Sequence, residues 1–154
     1  MGRLLIVILF IGVVIGGSVV LQKSRERQTA LATPAPAGAA ESGGHAAFFS
    51  PMSYAEAKSA AGSRLLLVDA TATWCPPCKA MERDTWPQPE LAAWMKDRGL
   101  AVQVDVDKDP AAAKELQIRG MPTVILMKDG RELARNMGYM DAGALLQWLN
   151  QHAG

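Results

Sequence analysis

The residues best suited to chemistry are Cys75 and Cys78, the only two cysteines among the 154 residues of the chain. They lie in the stretch WCPPCK, with two prolines between them. Thiols at this spacing can close a small disulfide ring if the second lies in the first turn of a helix. The positive end of the helix dipole also favours the thiolate of a cysteine at the helix start. The stretch predicts a redox-active dithiol, whereas a purely structural disulfide is disfavoured because so small a ring cross-links almost no chain.

The composition excludes several other kinds of site. The net charge of +1 and the lack of a long basic block argue against nucleic acid as a partner. His45 and His152 are far from both cysteines in the sequence and do not complete a zinc site. Eight methionines leave a copper-handling interpretation open, although methionines more often fill gaps in a core. We therefore predict no metal and no cofactor beyond the Cys75–Cys78 disulfide.

The segments around the cysteines predict the elements that position them. The apolar run Leu65–Thr71 predicts a strand buried on both faces, and the cysteine motif then opens a helix that continues to Asp84. The other predicted helices run from Ser53 to a stop at Gly62, over Glu90–Lys96, from Pro110 to Leu116, and from an Asp141 cap to the end of the domain. The other predicted strands cover Ala101–Val106, Thr123–Met127 and a stretch near Leu133–Asn136. This order predicts an α/β fold with a mixed sheet of four or five strands and helices on both faces.

The N-terminal part has a different composition. Leu4–Leu21 is uncharged and apolar, and eighteen helical residues would extend about 27 Å, enough to cross a bilayer. We predict a transmembrane anchor over residues 1–22, because a cleaved signal peptide would have a shorter apolar core of about 7–15 residues. Residues 23–47, rich in Ala, Pro and Gly, are predicted to form a flexible linker, and residues 48–154 the globular domain.

The orientation of the predicted anchor rests on opposing signals. Lys23, Arg25 and Arg27 follow the span and only Arg3 precedes it, which by the positive-inside rule favours a cytoplasmic C-terminal side. The linker composition and the lack of other cysteines favour an oxidising compartment. We predict a single-pass protein of the bacterial inner membrane with its catalytic domain in the periplasm.

The combination of motifs resembles the thioredoxin family. A strand precedes WCPPCK at the start of a helix, Gly120-Met121-Pro122-Thr123 opens a later strand, and Asp129-Gly130 forms a hairpin turn. The likeness covers Phe48–His152 and implies a thioredoxin fold with thiol–disulfide oxidoreductase activity. The Asp84–Leu91 insertion and the Gly138–Ala142 run are similar to the C-terminal thioredoxin-like domain of the bacterial membrane reductase DsbD, and the tethered layout is similar to anchored thioredoxins of the TlpA kind.

The catalytic residues follow from the helix start and from this resemblance. Cys75 is predicted to be the exposed nucleophile, and Cys78, more buried, to resolve the mixed disulfide. Asp69, six residues before Cys75, is implied to lie beneath the disulfide and to help deprotonate Cys78; the alternative is a structural aspartate at a strand end. Gln103 stands where many thioredoxins have a lysine, which leaves this acid without its usual cationic neighbour.

The resemblance also implies a substrate-binding face. The Met121–Pro122 bond is expected to be cis, with the Met121 backbone free to pair with a substrate strand. Trp74 is expected to pack over the active site and Gly138 to line the groove. Pro76 and Pro77 supply no amide proton, so mainly the Cys78 N–H is left to stabilise the thiolate. We expect a modestly lowered pKa for Cys75 and a reducing dithiol.

These residues predict a thiol–disulfide oxidoreductase. It would reduce disulfides in exported proteins or relay electrons from a membrane donor of the DsbD type. Two alternatives remain: a copper-binding module that delivers metal, and an oxidase or isomerase of the same fold.

Overall fold

A computed structural model describes residues 47–154, so the predicted anchor and nearly all of the predicted linker lie outside the described residues. Within residues 47–154 no helix has the length and apolar character needed to cross a bilayer. The elements are α1 (Tyr54–Ala61), β1 (Leu65–Thr71), α2 (Pro76–Asp84), α3 (Pro89–Met95), β2 (Gly99–Asp105), α4 (Pro110–Glu115), β3 (Thr123–Lys128), β4 (Arg131–Met137) and α5 (Ala142–His152).

The four strands form one mixed sheet in the order β2-β1-β3-β4. Strand β1 runs parallel to β2 and antiparallel to β3, and β3 and β4 form an antiparallel hairpin. Every residue of β1 is buried, as its continuous apolar run predicted. The predicted mixed α/β sheet is confirmed, with four strands among the described residues.

Helices cover both faces of this sheet. Successive side chains of a strand point to opposite faces, so each strand contributes residues to both layers of the core. On one face, Leu65 and Leu67 of β1 pack into a cluster with α2, α3 and α5. On the other, Leu66 and Val68 pack against α1 and α4. Asp69 follows the same alternation and therefore lies on the α2 side of β1.

Local sequence signals set the helix starts. Ser53 accepts a hydrogen bond from the Glu56 N–H and the Glu56 carboxylate accepts from the Ser53 N–H, a complete capping box. The Asp109 and Asp141 side chains cap α4 and α5 by accepting backbone N–H bonds. These predicted caps are confirmed, and they fix the residues at which α1, α4 and α5 begin.

Gly99 lets β2 start close to β1. A Cβ atom at this position would lie 1.9 Å from the backbone oxygen of Leu65, which no side chain could tolerate. The glycine therefore permits the parallel register that places Gln103 of β2 directly beside Asp69 of β1.

The fourth strand is longer than predicted and covers Arg131–Met137. Its pairing with β3 shifts register between Leu126 and Met127, which the pattern of polar and apolar residues did not indicate.

Candidate redox site

Cys75 and Cys78 form a disulfide at the start of α2, with their Cα atoms 5.3 Å apart. Cys75 is the N-cap residue, and its Sγ accepts a hydrogen bond of 3.3 Å from the Cys78 N–H. Pro76 and Pro77 fill the first two helical positions, where proline is tolerated because those N–H groups have no intrahelical acceptor. The Cys78 amide therefore meets the Cys75 sulfur, as predicted from the two prolines.

The prediction that Cys75 is exposed is wrong for the disulfide form, in which the two cysteines are almost equally buried. Cys75 is 4% exposed and Cys78 is 3% exposed. Ala72 forms a cluster with the two cysteines, and the side chains of Val106 and Met121 pack against it. Residues distant in the sequence thus pack against the cluster that buries both cysteines, which the helix start alone did not indicate.

Asp69 is 2% exposed and has a neutral neighbour at hydrogen-bonding distance. Its Oδ2 atom accepts a bond of 3.0 Å from the Gln103 side-chain amide. The pKa of Asp69 is raised to about 7, because the increase caused by burial is larger than the decrease caused by the Gln103 hydrogen bond. The Glu82 charge adds a smaller increase and the Trp86 indole N–H a smaller decrease. Asp69 can thus exchange a proton near neutral pH.

Glu82 and Trp86 were not identified from the sequence as parts of this site. Glu82 follows Cys78 by one helical turn on α2, is half-buried and pairs with Lys79 at 2.8 Å. Its charge raises the pKa of Asp69, so α2 contributes both the disulfide and a charge that acts on the buried acid. The four-residue spacing from Cys78 to Glu82 was a signal in the sequence, whereas nothing local marked Trp86.

The Met121–Pro122 peptide bond is cis, as expected. The Gly138 N–H donates a hydrogen bond of 2.8 Å to the Pro122 carbonyl oxygen. Gly138 has a φ of +102°, a conformation that favours glycine, and its own carbonyl oxygen accepts from the Asn136 side chain at 3.3 Å. The structure therefore brings Met121, Pro122 and Gly138 together, with Met121 also in contact with the cysteine cluster.

Exposed apolar side chains flank these residues. Trp74 is 64% exposed and its indole N–H donates to Asp107 at 2.7 Å. Met137 and Tyr139, on either side of Gly138, are 62% and 47% exposed. Pro76 and Pro77 are exposed as well. Trp74 is fixed by Asp107, and its expected packing over the disulfide stays a prediction.

A polar cleft of about 560 Å³ opens beside α2. Its lining includes Gln103 and Glu82, the two polar residues that act on Asp69 from β2 and α2, together with Thr71 and Lys79. Solvent in this cleft therefore comes within one side chain of the buried acid. In residues 47–154 no group of three His, Cys, Asp or Glu side chains could hold a metal ion.

Comparison with known proteins agrees with this architecture. The model of the thioredoxin-like domain matches residues 52–153. Thioredoxin from Chlamydia trachomatis serovar D is 34% identical over 90 residues, which cover 58% of this chain and 84% of that protein. Thioredoxin from Mycolicibacterium smegmatis is 40% identical over 90 residues, 57% of this chain and 78% of that one.

A solved structure shows the same fold. The crystal structure of Malassezia sympodialis thioredoxin (Mala s 13) has a TM-score of 0.56 and 31% identity, and the match covers 66% of this chain and 87% of that one. The family match spans most of the chain and includes both cysteines, Asp69 and the cis-proline loop. The chain belongs to the thioredoxin family.

Proposed function

We propose that this chain reduces protein disulfides through Cys75 and Cys78. Thiol–disulfide oxidoreductase activity in general follows from its membership of the thioredoxin family. The observation that carries the proposal is the Cys75–Cys78 disulfide at the N-terminus of α2, on the same side of the sheet as a buried acid whose pKa is about 7.

The proposed reaction has two sulfur-exchange steps. In the reduced protein the Cys75 thiolate attacks one sulfur of a substrate disulfide, forms a mixed disulfide and releases the other sulfur as a thiolate. The Cys78 sulfur then attacks Cys75 Sγ, which closes the Cys75–Cys78 disulfide and releases the second substrate thiolate. Two electrons pass to the substrate, and a dithiol donor must return them before the next cycle.

Asp69 is the proposed proton acceptor for the second step. Cys78 must lose its proton to attack, and a carboxylate with a pKa near 7 can take this proton and release it again at neutral pH. The polar cleft lined by Gln103 and Glu82 brings solvent close to the acid, so the proton can be released there. We propose no metal and no cofactor beyond the cysteine pair.

The surface around the disulfide is the proposed docking site for an unfolded or extended substrate. Trp74, Pro76 and Pro77 would contact the substrate on the α2 side. Met121, Pro122 and Gly138 would contact it on the opposite side, with the Met121 backbone as the partner of an extended strand. The apolar character of this surface supports binding of polypeptide rather than of a small charged molecule.

The two prolines support a reducing role. They leave the Cys75 sulfur one amide donor, the Cys78 N–H at 3.3 Å, so the thiolate is only modestly stabilised. A strongly stabilised thiolate is what makes a dithiol an oxidant. A measured reduction potential near that of a dedicated oxidant, about −120 mV, would contradict this and favour the oxidase or isomerase alternative.

The proposed location is the bacterial inner membrane, with the catalytic domain in the periplasm and a membrane donor of the DsbD type. The support is the eighteen-residue apolar run and the linker composition of the sequence. C-terminal fusions to alkaline phosphatase and to a cytoplasmic fluorophore test the orientation. Activity of the cytoplasmic reporter alone would contradict it and would exclude exported substrates.

Trapping experiments test the proposed reaction. The Cys78→Ser variant should accumulate a mixed disulfide with protein substrates, because Cys75 can attack but nothing resolves the product. Cys75→Ser is the matched control and should trap nothing. If both variants trap substrates equally, the assignment of Cys75 as nucleophile is wrong. Tight one-to-one copper binding by the reduced protein would instead favour the metal-delivery alternative.

A further inference from the structure

Trp86 and Asp69 each carry a buried polar atom that forms no hydrogen bond with any residue from 47 to 154. These atoms are the indole Nε1 of Trp86 and the carboxylate Oδ1 of Asp69. Trp86 is 1% exposed and Asp69 is 2% exposed. A buried polar atom without a partner costs free energy, so two of them require a physical reason. An indole can only donate and an ionised carboxylate can only accept, so the two atoms are complementary.

The two side chains lie on the same side of the sheet. Because residues alternate across β1, Asp69 shares a face with Leu67, and Leu67 packs in the cluster that contains Trp86. Burial is the largest influence on the pKa of Asp69 and raises it, the Gln103 hydrogen bond lowers it, and the Trp86 indole N–H lowers it further. The indole N–H therefore acts on the Asp69 carboxyl group.

Packing fixes the position of the Trp86 ring. Phe48 stacks on it with ring centroids 5.4 Å apart, and Phe49 meets it edge-on at 5.1 Å. Helix α2 ends just before Trp86, and the Thr85 hydroxyl donates a hydrogen bond of 2.7 Å to the Met140 carbonyl oxygen. The indole N–H thus cannot turn to solvent, and the carboxyl group of Asp69 is the polar group on which it acts.

Trp94 shows the usual arrangement of a buried indole in the same cluster. It is 8% exposed, and its N–H donates to the Asn150 side chain at 2.8 Å. The chain therefore holds two tryptophans in one core, one with a permanent partner and one without. This contrast provides a matched control for any role of the Trp86 N–H.

We propose that Trp86 is a positioning residue for Asp69, whose indole N–H donates to Oδ1 when the carboxylate is ionised and is released when the carboxyl group is protonated. In the ionised state, Gln103 then holds one oxygen and Trp86 the other. A hydrogen bond to the ionised form favours that form. The carboxylate of Asp69, which is the form that can accept a proton, therefore predominates down to a lower pH when Trp86 is present. The inference rests on the proposed function only in assigning that proton to Cys78.

The influence of Trp86 on Asp69 can be measured apart from that of the other groups near this acid. The titratable group that faces it from α2 is Glu82, whose charge raises the pKa of Asp69. Strand β2 presents Gln103 and strand β3 presents Val124, neither of which titrates. Helices α3 and α5 contribute apolar side chains to this face. In the oxidised protein the cysteines are joined and do not titrate, so the acid can be followed without them.

Titration of the oxidised full chain by carboxyl ¹³C NMR tests the proposal, with the Asp69 signal assigned by its absence in Asp69→Asn. Trp86→Phe keeps an aromatic ring beside Phe48 but removes the N–H, and should raise the Asp69 midpoint by about one pH unit. Trp94→Phe should leave the midpoint unchanged. Equal midpoints in the wild type and in Trp86→Phe would overturn the proposal.

A second measurement needs no substitution and remains decisive if Trp86→Phe fails to fold. The indole proton of Trp86 should move downfield on ionisation of Asp69, with the same midpoint as the carboxyl carbon, while that of Trp94 should not move. An unresponsive Trp86 proton would overturn the proposal. Disulfide reduction, assayed separately, distinguishes the two ideas: coupled titration without reductase activity contradicts only the proposed function, and activity without coupling contradicts only the role of Trp86.

Discussion

Replacing Asp69 with asparagine is expected to stabilise the oxidised protein at neutral pH and to slow disulfide reduction. The asparagine has nearly the same shape, and its carbonyl oxygen can still accept the hydrogen bond from Gln103. It cannot ionise, so the cost of burying a charge disappears. It also cannot accept a proton, so the proposed help for Cys78 disappears with it.

The size of the stability gain follows from the pKa of Asp69, which burial raises from 3.8 to about 7. Between these values the unfolded chain loses its proton while the folded protein keeps it, so the stability of the wild type falls as the pH rises through this window. About three pKa units at about 1.4 kcal/mol each amount to about 4 kcal/mol. Asp69→Asn should therefore gain stability relative to the wild type from about pH 4 to pH 7, and the difference should level off above pH 7.

Urea unfolding of the oxidised protein at several pH values measures this difference. Asp129→Asn is the matched control, because Asp129 is exposed in the β3–β4 turn with a φ of +53° that asparagine also adopts. The reasoning is refuted if the stability of Asp69→Asn and of the wild type differs by the same amount at pH 5 and pH 8. Turnover with a protein disulfide at pH 7 should fall about a hundredfold, the lower end of typical general-base contributions.

Three further substitutions probe the surroundings of the disulfide. Glu82→Gln removes the charge that raises the pKa of Asp69, so the Asp69 midpoint in a ¹³C titration should move to lower pH. Gln103→Leu removes the hydrogen bond that lowers this pKa, so the same measurement should give a higher midpoint. Trp74→Ala removes an apolar side chain that is 64% exposed beside the disulfide, and should raise KM for a protein disulfide about fivefold, as expected for about 1 kcal/mol of lost contact. A shift in the opposite direction for either midpoint, or an unchanged KM, would contradict the corresponding assignment.

Much of the fold could be predicted because its signals are local. The run Leu65–Thr71, the capping residues Ser53 and Asp109 and the Asp129-Gly130 turn each specify structure within a few residues, and the observed elements agree with them. The cis bond before Pro122 and the place of Gln103 beside Asp69 followed from the family likeness rather than from any local pattern.

The features that sequence reasoning missed depend on contacts between distant parts of the chain. Cys75 is buried in a cluster with Ala72 and Cys78, against which Val106 and Met121 pack from other loops, whereas the helix start alone indicated an exposed sulfur. Trp86, two residues after the end of α2, lowers the pKa of Asp69 in β1, and no spacing in the sequence relates the two residues. Such contacts are set by how the elements pack, which local propensity does not determine.

The neutral side chain of Gln103 leaves the pKa of Asp69 higher than a lysine at this position would. A lysine beside Asp69 would stabilise the carboxylate by a full charge and lower its pKa, while the amide contributes a single hydrogen bond of 3.0 Å. Burial therefore prevails and leaves the pKa at about 7. At that value the acid is about half protonated at neutral pH, so it can accept a proton from Cys78 and release it again towards the cleft. Gln103→Lys should consequently lower the Asp69 midpoint and, by making the carboxylate a weaker base, slow the second sulfur exchange measured by stopped-flow at pH 7. An Asp69 midpoint that does not move in this variant would show that the residue at position 103 does not control the acid.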